Sequence, residues 1–307
     1  MIRPCPVCRS SRAASHGVAP SLSLRTCDAC SMVYMEPASR LDDVQREHFG
    51  DGYLRRRALG VDWFNHRKAR RRLRVIRRYR PTGRLLDFGC GRGELLVEAR
   101  NAGYRVVGFD LSATVGAYVR QRYGCEVYWG EPARLDLLEP FDVVALSHVL
   151  EHAVEPLDML RSIRRLIAPR GVLYVATPNV RCWEARFAGW AAYEPYHCSY
   201  FSPSTLTAAL ERTGYQVITL HTWEPLSAWL NVVVRGLLRE RYATIRRAVE
   251  GDSRGRSRHR YRMAMALLTA SRLGTGAALT PFRLLQQFLL KGEELVCVAT
   301  PSAVDGP

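Results

Sequence analysis

Hydrophobic positions divide the chain into regions of different texture. From Arg84 onward, short apolar runs alternate with longer stretches in which apolar residues recur every three or four positions: "RLLDFGCG", "YRVVGFDLS", "CEVYW", "FDVVALS" and "GVLYVATPN". Runs of this length read as strands, and the stretches between them as helices. Strand and helix in alternation predict a parallel sheet with helices on both faces. A helix near "SPSTLTAALERTG" leads to a sixth strand, "YQVITLHT", and "GEELVCVAT" reads as a seventh. The expected class is α/β, a doubly wound, mostly parallel sheet of seven strands.

The flanks differ from this core. Residues 37–80 read as an arginine-rich helical linker, in which Leu59, Trp63, Leu73 and Ile76 stand among many charges. Between the sixth and seventh strands lie roughly 70 residues, far more than an ordinary connection. Here apolar clusters alternate with arginine, as in amphipathic helices, and "GDSRGRSRHR" looks like a basic loop. The expected units are 1–36, 37–80, a core at 81–224, an amphipathic helical insertion at 225–290, and a last strand with its tail at 291–307.

Cysteine spacing explains the first unit. Cys5, Cys8, Cys27 and Cys30 form two C-x-x-C knuckles separated as in a zinc ribbon. Four thiolates close a tetrahedral shell, so such a metal would be structural. The formal net charge of +16 suggests an anionic partner: nucleic acid, an acidic lipid surface or a phosphorylated substrate. The cations are almost all arginine, since Lys68 and Lys291 are the only lysines. The N-terminus lacks a secretory pattern and no run is long enough to span a bilayer, so the chain reads as cytoplasmic, with peripheral membrane contact through the insertion as one option.

Candidate chemistry begins at "LLDFGCGRGELL". Asp87 ends a strand, and Gly89, Gly91 and Gly93 occupy the turn into a helix, where a ligand can approach the backbone. The third glycine of a dinucleotide fingerprint is replaced by Glu94, which weakens a NAD reading. A carboxylate at the strand tip would repel a pyrophosphate but hold the cationic amino-acid portion of S-adenosylmethionine. Asp110, about 20 residues on, can accept hydrogen bonds from both ribose hydroxyls.

These motifs, with "VVGFDLS", "FDVVALSHVLEH" and "IAPRGVLYVATPN" in order, resemble the class I S-adenosylmethionine-dependent methyltransferases, whose fold is Rossmann-like. The resemblance implies that Gly89, Cys90, Gly91 and Gly93 line the methionine and ribose, that Asp110 binds the ribose, and that Glu131 sits near the adenine. By the same implication Leu111, Ser147 and His148 belong to the cofactor pocket.

"SHVLEH" follows the fourth strand, at the sheet edge where ligands bind in such folds. If it turns into a helix, His148, Glu151 and His152 share one face. His197, in "YEPYHCSYFSPSTL", is a further candidate. One reading is general base catalysis by His152 or His197. Another is a divalent metal held by Glu151, His152 and His197, with His148 as a fourth ligand. The second is similar to the E-x-x-E-H helix and later histidine of small-RNA 2′-O-methyltransferases and ubiquinone-pathway O-methyltransferases, with His148 replacing the first glutamate.

The cysteine knuckles with the later "HCSYFS" also resemble methyltransferases of deoxysugar and envelope-polysaccharide pathways, which implies that Tyr200 assists proton removal or binds a hydroxyl. The expected function is O-methylation of a glycan, a lipid-linked glycan intermediate or a secondary-metabolite hydroxyl. RNA 2′-O-methylation, sugar C-methylation and a nucleic-acid-binding protein with a vestigial enzyme domain are the competing expectations.

Overall fold

A computed structural model of the chain describes residues 3–19, 22–36, 61–225 and 277–302, with isolated positions at 54, 229, 232 and 274. Most of the expected linker before residue 61 and most of the expected insertion, including its basic loop, lie outside the described residues.

Three short strands come first: β1 (Ala13–Ser15), β2 (Leu24–Cys27) and β3 (Val33–Met35). The helix α1 (Val61–Arg77) precedes β4 (Arg84–Phe88), α2 (Glu94–Asn101), β5 (Arg105–Asp110), α3 (Ala113–Tyr123) and β6 (Glu126–Trp129). Then follow β7 (Phe141–Ser147), α4 (Pro156–Arg165), β8 (Ile167–Pro178), the two-residue β9 (Ser199–Tyr200), α5 (Pro203–Glu211), β10 (Tyr215–Trp223), α6 (Thr280–Phe288) and β11 (Glu294–Pro301).

The large sheet has seven strands in the order β10-β11-β8-β7-β4-β5-β6. β8, β7, β4, β5 and β6 are parallel, whereas β11 runs antiparallel to both β8 and β10. Successive side chains on a strand point to opposite faces, and the core divides accordingly. Leu86, Val144 and Leu173 pack on one face with Leu157, Leu160 and Ile163 of α4. Leu85, Val143 and Val172 pack on the other with Ala69, Leu73 and Ile76 of α1 and Leu95 and Ala99 of α2. The i, i+4, i+7 spacing of Ala69, Leu73 and Ile76 anchors α1 while most of its arginines stay in solvent.

The reversal of β11 has a consequence for function. An antiparallel strand begins where its parallel neighbours end, so Glu294, first in β11, lies opposite Pro178 at the end of β8. Its carboxylate is thereby delivered to the ligand-binding edge of the sheet.

The small sheet has the order β1-β2-β3-β9, so its fourth strand comes from the "HCSYFS" segment. Val33 pairs with Tyr200 and Tyr34 with Ser199, antiparallel. The same segment is tied to the large sheet: Cys198 N–H donates to the Glu151 carbonyl at 2.8 Å, and Asn179 bridges to Phe201. Among the described residues no helix is long and apolar enough to cross a membrane.

Asn179, fully buried just after β8, pins the turn that precedes β11. Its side-chain amide donates to the carbonyls of Gly292 (2.8 Å) and Leu290 (3.1 Å), and its oxygen accepts the Arg181 N–H (3.0 Å). Asn179→Ala orphans these buried groups, so it should destabilise the fold by about 2 kcal/mol or more, measured by urea unfolding.

Candidate active site

The glycine turn is built by backbone geometry. Gly89, Gly91 and Gly93 have φ of 78°, 52° and 81°, the left-handed region open chiefly to glycine. At Gly89 a Cβ would fall 2.4 Å from Cγ2 of Val149, and at Gly93 it would fall 2.9 Å from Cγ1 of Val119. Gly93 therefore serves the packing of α2 on α3. Both Asp110 oxygens accept backbone N–H groups, from Gly91 (3.1 Å) and Ser112 (3.0 Å). Each oxygen keeps a further lone pair for a ligand.

Around this turn lies a cavity of about 1070 Å³. Asp87, Gly89, Cys90, Gly91, Asp110 and Leu111 line it, as do Ser147, His148, Glu151, His152 and His197. Three residues singled out in the sequence do not: Gly93, Glu131 and Tyr200. Tyr200 is buried in the small sheet, where its hydroxyl donates to the Glu194 carbonyl at 3.2 Å, and burial raises its pKa. Glu131 sits immediately before Pro132, which does reach the cavity. The sequence reading missed Asn65, Lys68 and Arg72, which α1 presents to the cavity. Their i, i+3, i+7 spacing was the available signal, as was the rarity of lysine.

"SHVLEH" is a tight turn rather than an α-helix. His148 has φ 57°, and only Leu150–His152 form one 3-10 turn. A left-handed histidine costs about 1 kcal/mol. Two carboxylates compensate: His148 Nδ1 lies 3.1 Å from Glu151 Oε1, and Nε2 lies 2.9 Å from Glu294 Oε1. Both ring nitrogens donate, so the ring is an imidazolium. Burial lowers its pKa, but the hydrogen bonds and charges of the two glutamates prevail and lift it to about 9. Burial likewise works against the Glu151 charge, yet His148 brings its pKa down to about 2. Thr177 donates to its second oxygen at 3.0 Å. Arg71 and Arg72 pair with Glu294 from α1.

Beside this chain stand His152 and His197, with ring centroids 4.9 Å apart. Nδ1 of His152 is 3.0 Å from the Tyr196 carbonyl, and Nδ1 of His197 is 2.8 Å from that of Ala192. A carbonyl only accepts, so in the neutral rings each Nδ1 carries the proton and each Nε2 keeps its lone pair. Burial, and secondarily the neighbouring His152, holds His197 down to about 4, so it is neutral at pH 7. One ligand atom from each of Glu151, His152 and His197 lies within 4.8 Å of the others.

The cysteine knuckles form a second such group, its sulfurs within 4.8 Å of one another and two pairs at 3.5 Å. A tetrahedral ion with Zn–S near 2.3 Å needs sulfurs about 3.8 Å apart, so the set fits zinc. The two loops are alike: Arg9 N–H donates to the Cys5 carbonyl and Ser31 N–H to that of Cys27, each at positive φ.

A family described as a methyltransferase domain matches residues 57–220, more than half of the chain. The chain belongs to the class I S-adenosylmethionine-dependent methyltransferases. A ubiquinone biosynthesis O-methyltransferase of Caulobacter sp. (strain K31) is 36% identical over 104 residues, 31% of this chain and 41% of that protein. A probable S-adenosylmethionine-dependent methyltransferase of Mycolicibacterium smegmatis is 30% identical over 142 residues, 45% of this chain and 54% of that protein. The matched stretches thus span about half the length of these relatives. The crystal structure of a SAM-dependent methyltransferase from Archaeoglobus fulgidus shares the fold, with a TM-score of 0.50 and 18% identity, covering 77% of this chain and 94% of that one.

The methyltransferase pocket fits S-adenosylmethionine on its own chemistry. Nε of Arg72 and Oγ of Ser147 are buried without hydrogen-bond partners, and both residues line the cavity, as expected where a polar ligand completes them. At about 1070 Å³ the cavity lies just above the roughly 300–1,000 Å³ usual for ligand sites.

The His148 ion chain yields a direct test. In Glu294→Gln the His148 imidazolium loses one of its two anions, so its pKa should fall from about 9 toward 6.5 in an NMR titration. A titration unchanged at about 9 contradicts the two-carboxylate account.

Proposed function

We propose that this methyltransferase is an O-methyltransferase acting on the hydroxyl of a small acceptor, within the range expected above: a glycan, a lipid-linked glycan intermediate or a secondary metabolite. The observation that carries the reading is the pair of histidines that line the cavity, each with Nδ1 on a backbone carbonyl, and each with one ligand atom within 4.8 Å of the other's and of one from Glu151. The O-methyltransferase names of several relatives support it.

Bound S-adenosylmethionine supplies a methyl group activated by its sulfonium. Asp87 holds the cofactor's ammonium, and Lys68 and Arg72, on the adjoining helix face, suit its carboxylate. Asp110 takes the ribose hydroxyls with the lone pairs its backbone bonds leave open. Cys90 and Leu111 flank these groups on the cavity wall. His152 or His197 accepts the acceptor's hydroxyl proton at Nε2, which raises the nucleophilicity of the oxygen. Glu151, His152 and His197 would also hold a divalent cation, whose chemistry would be to lower the pKa of a bound hydroxyl. The carbonyls of Tyr196 and Ala192 at the two Nδ1 atoms suit that alternative, because metal-binding histidines commonly donate their other N–H to a carbonyl. Zinc in the four-cysteine ribbon is proposed as structural.

Two outcomes are expected. His152→Ala should lower methyl transfer by about 100-fold or more, followed with methyl-labelled S-adenosylmethionine and cell extract, with cofactor affinity close to that of the parent. Equal turnover would sink the assignment. Calorimetry should also show pH-linked cofactor binding. Burial lifts the Asp87 carboxyl to about 8 against the pull of Arg72, and a bound ammonium favours the ionised form. Binding therefore releases a proton at pH 7 and tightens as pH rises toward 8, a trend that Asp87→Asn should flatten.

A further inference from the structure

Helix α6 is inside out. Its protein-facing side carries Arg283 and Gln286, both buried. Arg283 Nη2 donates to the Glu224 carbonyl at 2.6 Å, and Gln286 Nε2 donates to both Glu184 oxygens at 3.0 and 3.2 Å. The opposite side presents Leu284 (60% exposed), Leu285 and Phe288 (84% exposed), continued by Leu289. Phe187, from the loop after β8, adds another exposed ring. An ordinary surface helix turns its apolar stripe inward. Here the polar residues turn inward, so the apolar face lies open among the described residues and leaves greasy surface in water.

The charge around this face selects its partner. From Thr280 to Lys291 the sequence contains no acidic residue. Arg181 and Arg186 are exposed, and Lys291 follows Leu290 directly. Burial, and after it the charges of Arg181 and Arg186, lower the Lys291 pKa, which places the three cations in one neighbourhood. An apolar helix face bordered by cations matches the boundary between acyl chains and anionic headgroups.

We propose that α6 is a docking surface for an anionic lipid bilayer, with Leu284, Leu285, Phe288 and Leu289 entering the acyl boundary and Arg181, Arg186 and Lys291 meeting the headgroups. The proposal stands apart from the acceptor assignment, since neither face nor cations belong to the cavity. Its position nevertheless matters for the enzyme. Only a few residues separate Leu290 from Glu294, the carboxylate that holds His148, so a docked α6 lies next in sequence to the catalytic edge.

The test is co-sedimentation of the full chain with vesicles of phosphatidylcholine and phosphatidylglycerol in equal parts, and with phosphatidylcholine alone. Binding is expected to the anionic vesicles and to weaken with salt. In Leu284→Ser/Phe288→Ser, partitioning should fall by about tenfold or more, and Arg186→Glu should weaken it too, with S-adenosylmethionine affinity unchanged in both. Parent protein that stays in the supernatant overturns the proposal, as does equal binding by the double variant. A concentration-dependent dimer in gel filtration that the double variant abolishes also overturns it, because a second copy would then cover the face. So does a clear loss of thermal stability in the double variant, which would mean that the chain itself covers it.

Discussion

The Glu294–His148–Glu151 chain withdraws two carboxylates from bulk water, and such an arrangement persists only where each charge meets an opposite one at hydrogen-bond distance. It joins two distant parts of the sequence. Glu294 comes from the antiparallel strand, His148 from the turn after β7, and Glu151 from the single 3-10 turn beyond it. Thr177 on β8 and Arg71 and Arg72 on α1 complete the set. The strained φ of His148, the approach of Val149 to Gly89 and the direction of Glu151 toward the two other histidines are all settled by this one chain of charges. The glycine turn and the two-histidine side of the cavity consequently share a support.

Much of this could be read from the residues alone. Apolar runs at strand length, the glycine turn after β4, the acid at the end of β5 and the cysteine spacing are local signals, and local signals survive without a structure. The seven-stranded sheet and the cavity edge after β7 follow from them. Glu294 was not legible, although "GEELVCVAT" reads as a strand, because its importance depends on the strand's direction and register against β8. Arg72 was hidden among neighbours of identical composition, and only helix phase separates it from the arginines in solvent. Tyr200 misled for a related reason: "HCSYFS" places His197 in the cavity but carries Tyr200 on into the small sheet, where it pairs with Val33. The expected helix at "SHVLEH" failed because two carboxylates outweighed the backbone preference of one histidine.

The two sides of the cavity are constructed differently. The cofactor side is framed by β4 and β5, neighbours in one sheet, with Asp110 tied by backbone bonds to the turn it faces. Such a frame is rigid because each part is covalently or hydrogen-bonded to the next within a few residues. The side that carries His152 and His197 draws on distant segments, and the loop from Asn179 to Cys198 connects them.

That loop ends in β9, which pairs with β3 in the ribbon sheet while its flanks are hydrogen-bonded to Glu151, in the turn after β7, and to Val180, just beyond β8. Two residues of strand therefore act as a rivet through two plates. His197 sits at the head of the rivet, and its distance from His152 is a measure of how the plates are seated on each other. Variation among enzymes built this way has an unequal freedom as a result. Changes in the exposed loops can reshape what enters the cavity, whereas any change in how the cysteine knuckles close is carried along β3 into the spacing of the two imidazoles.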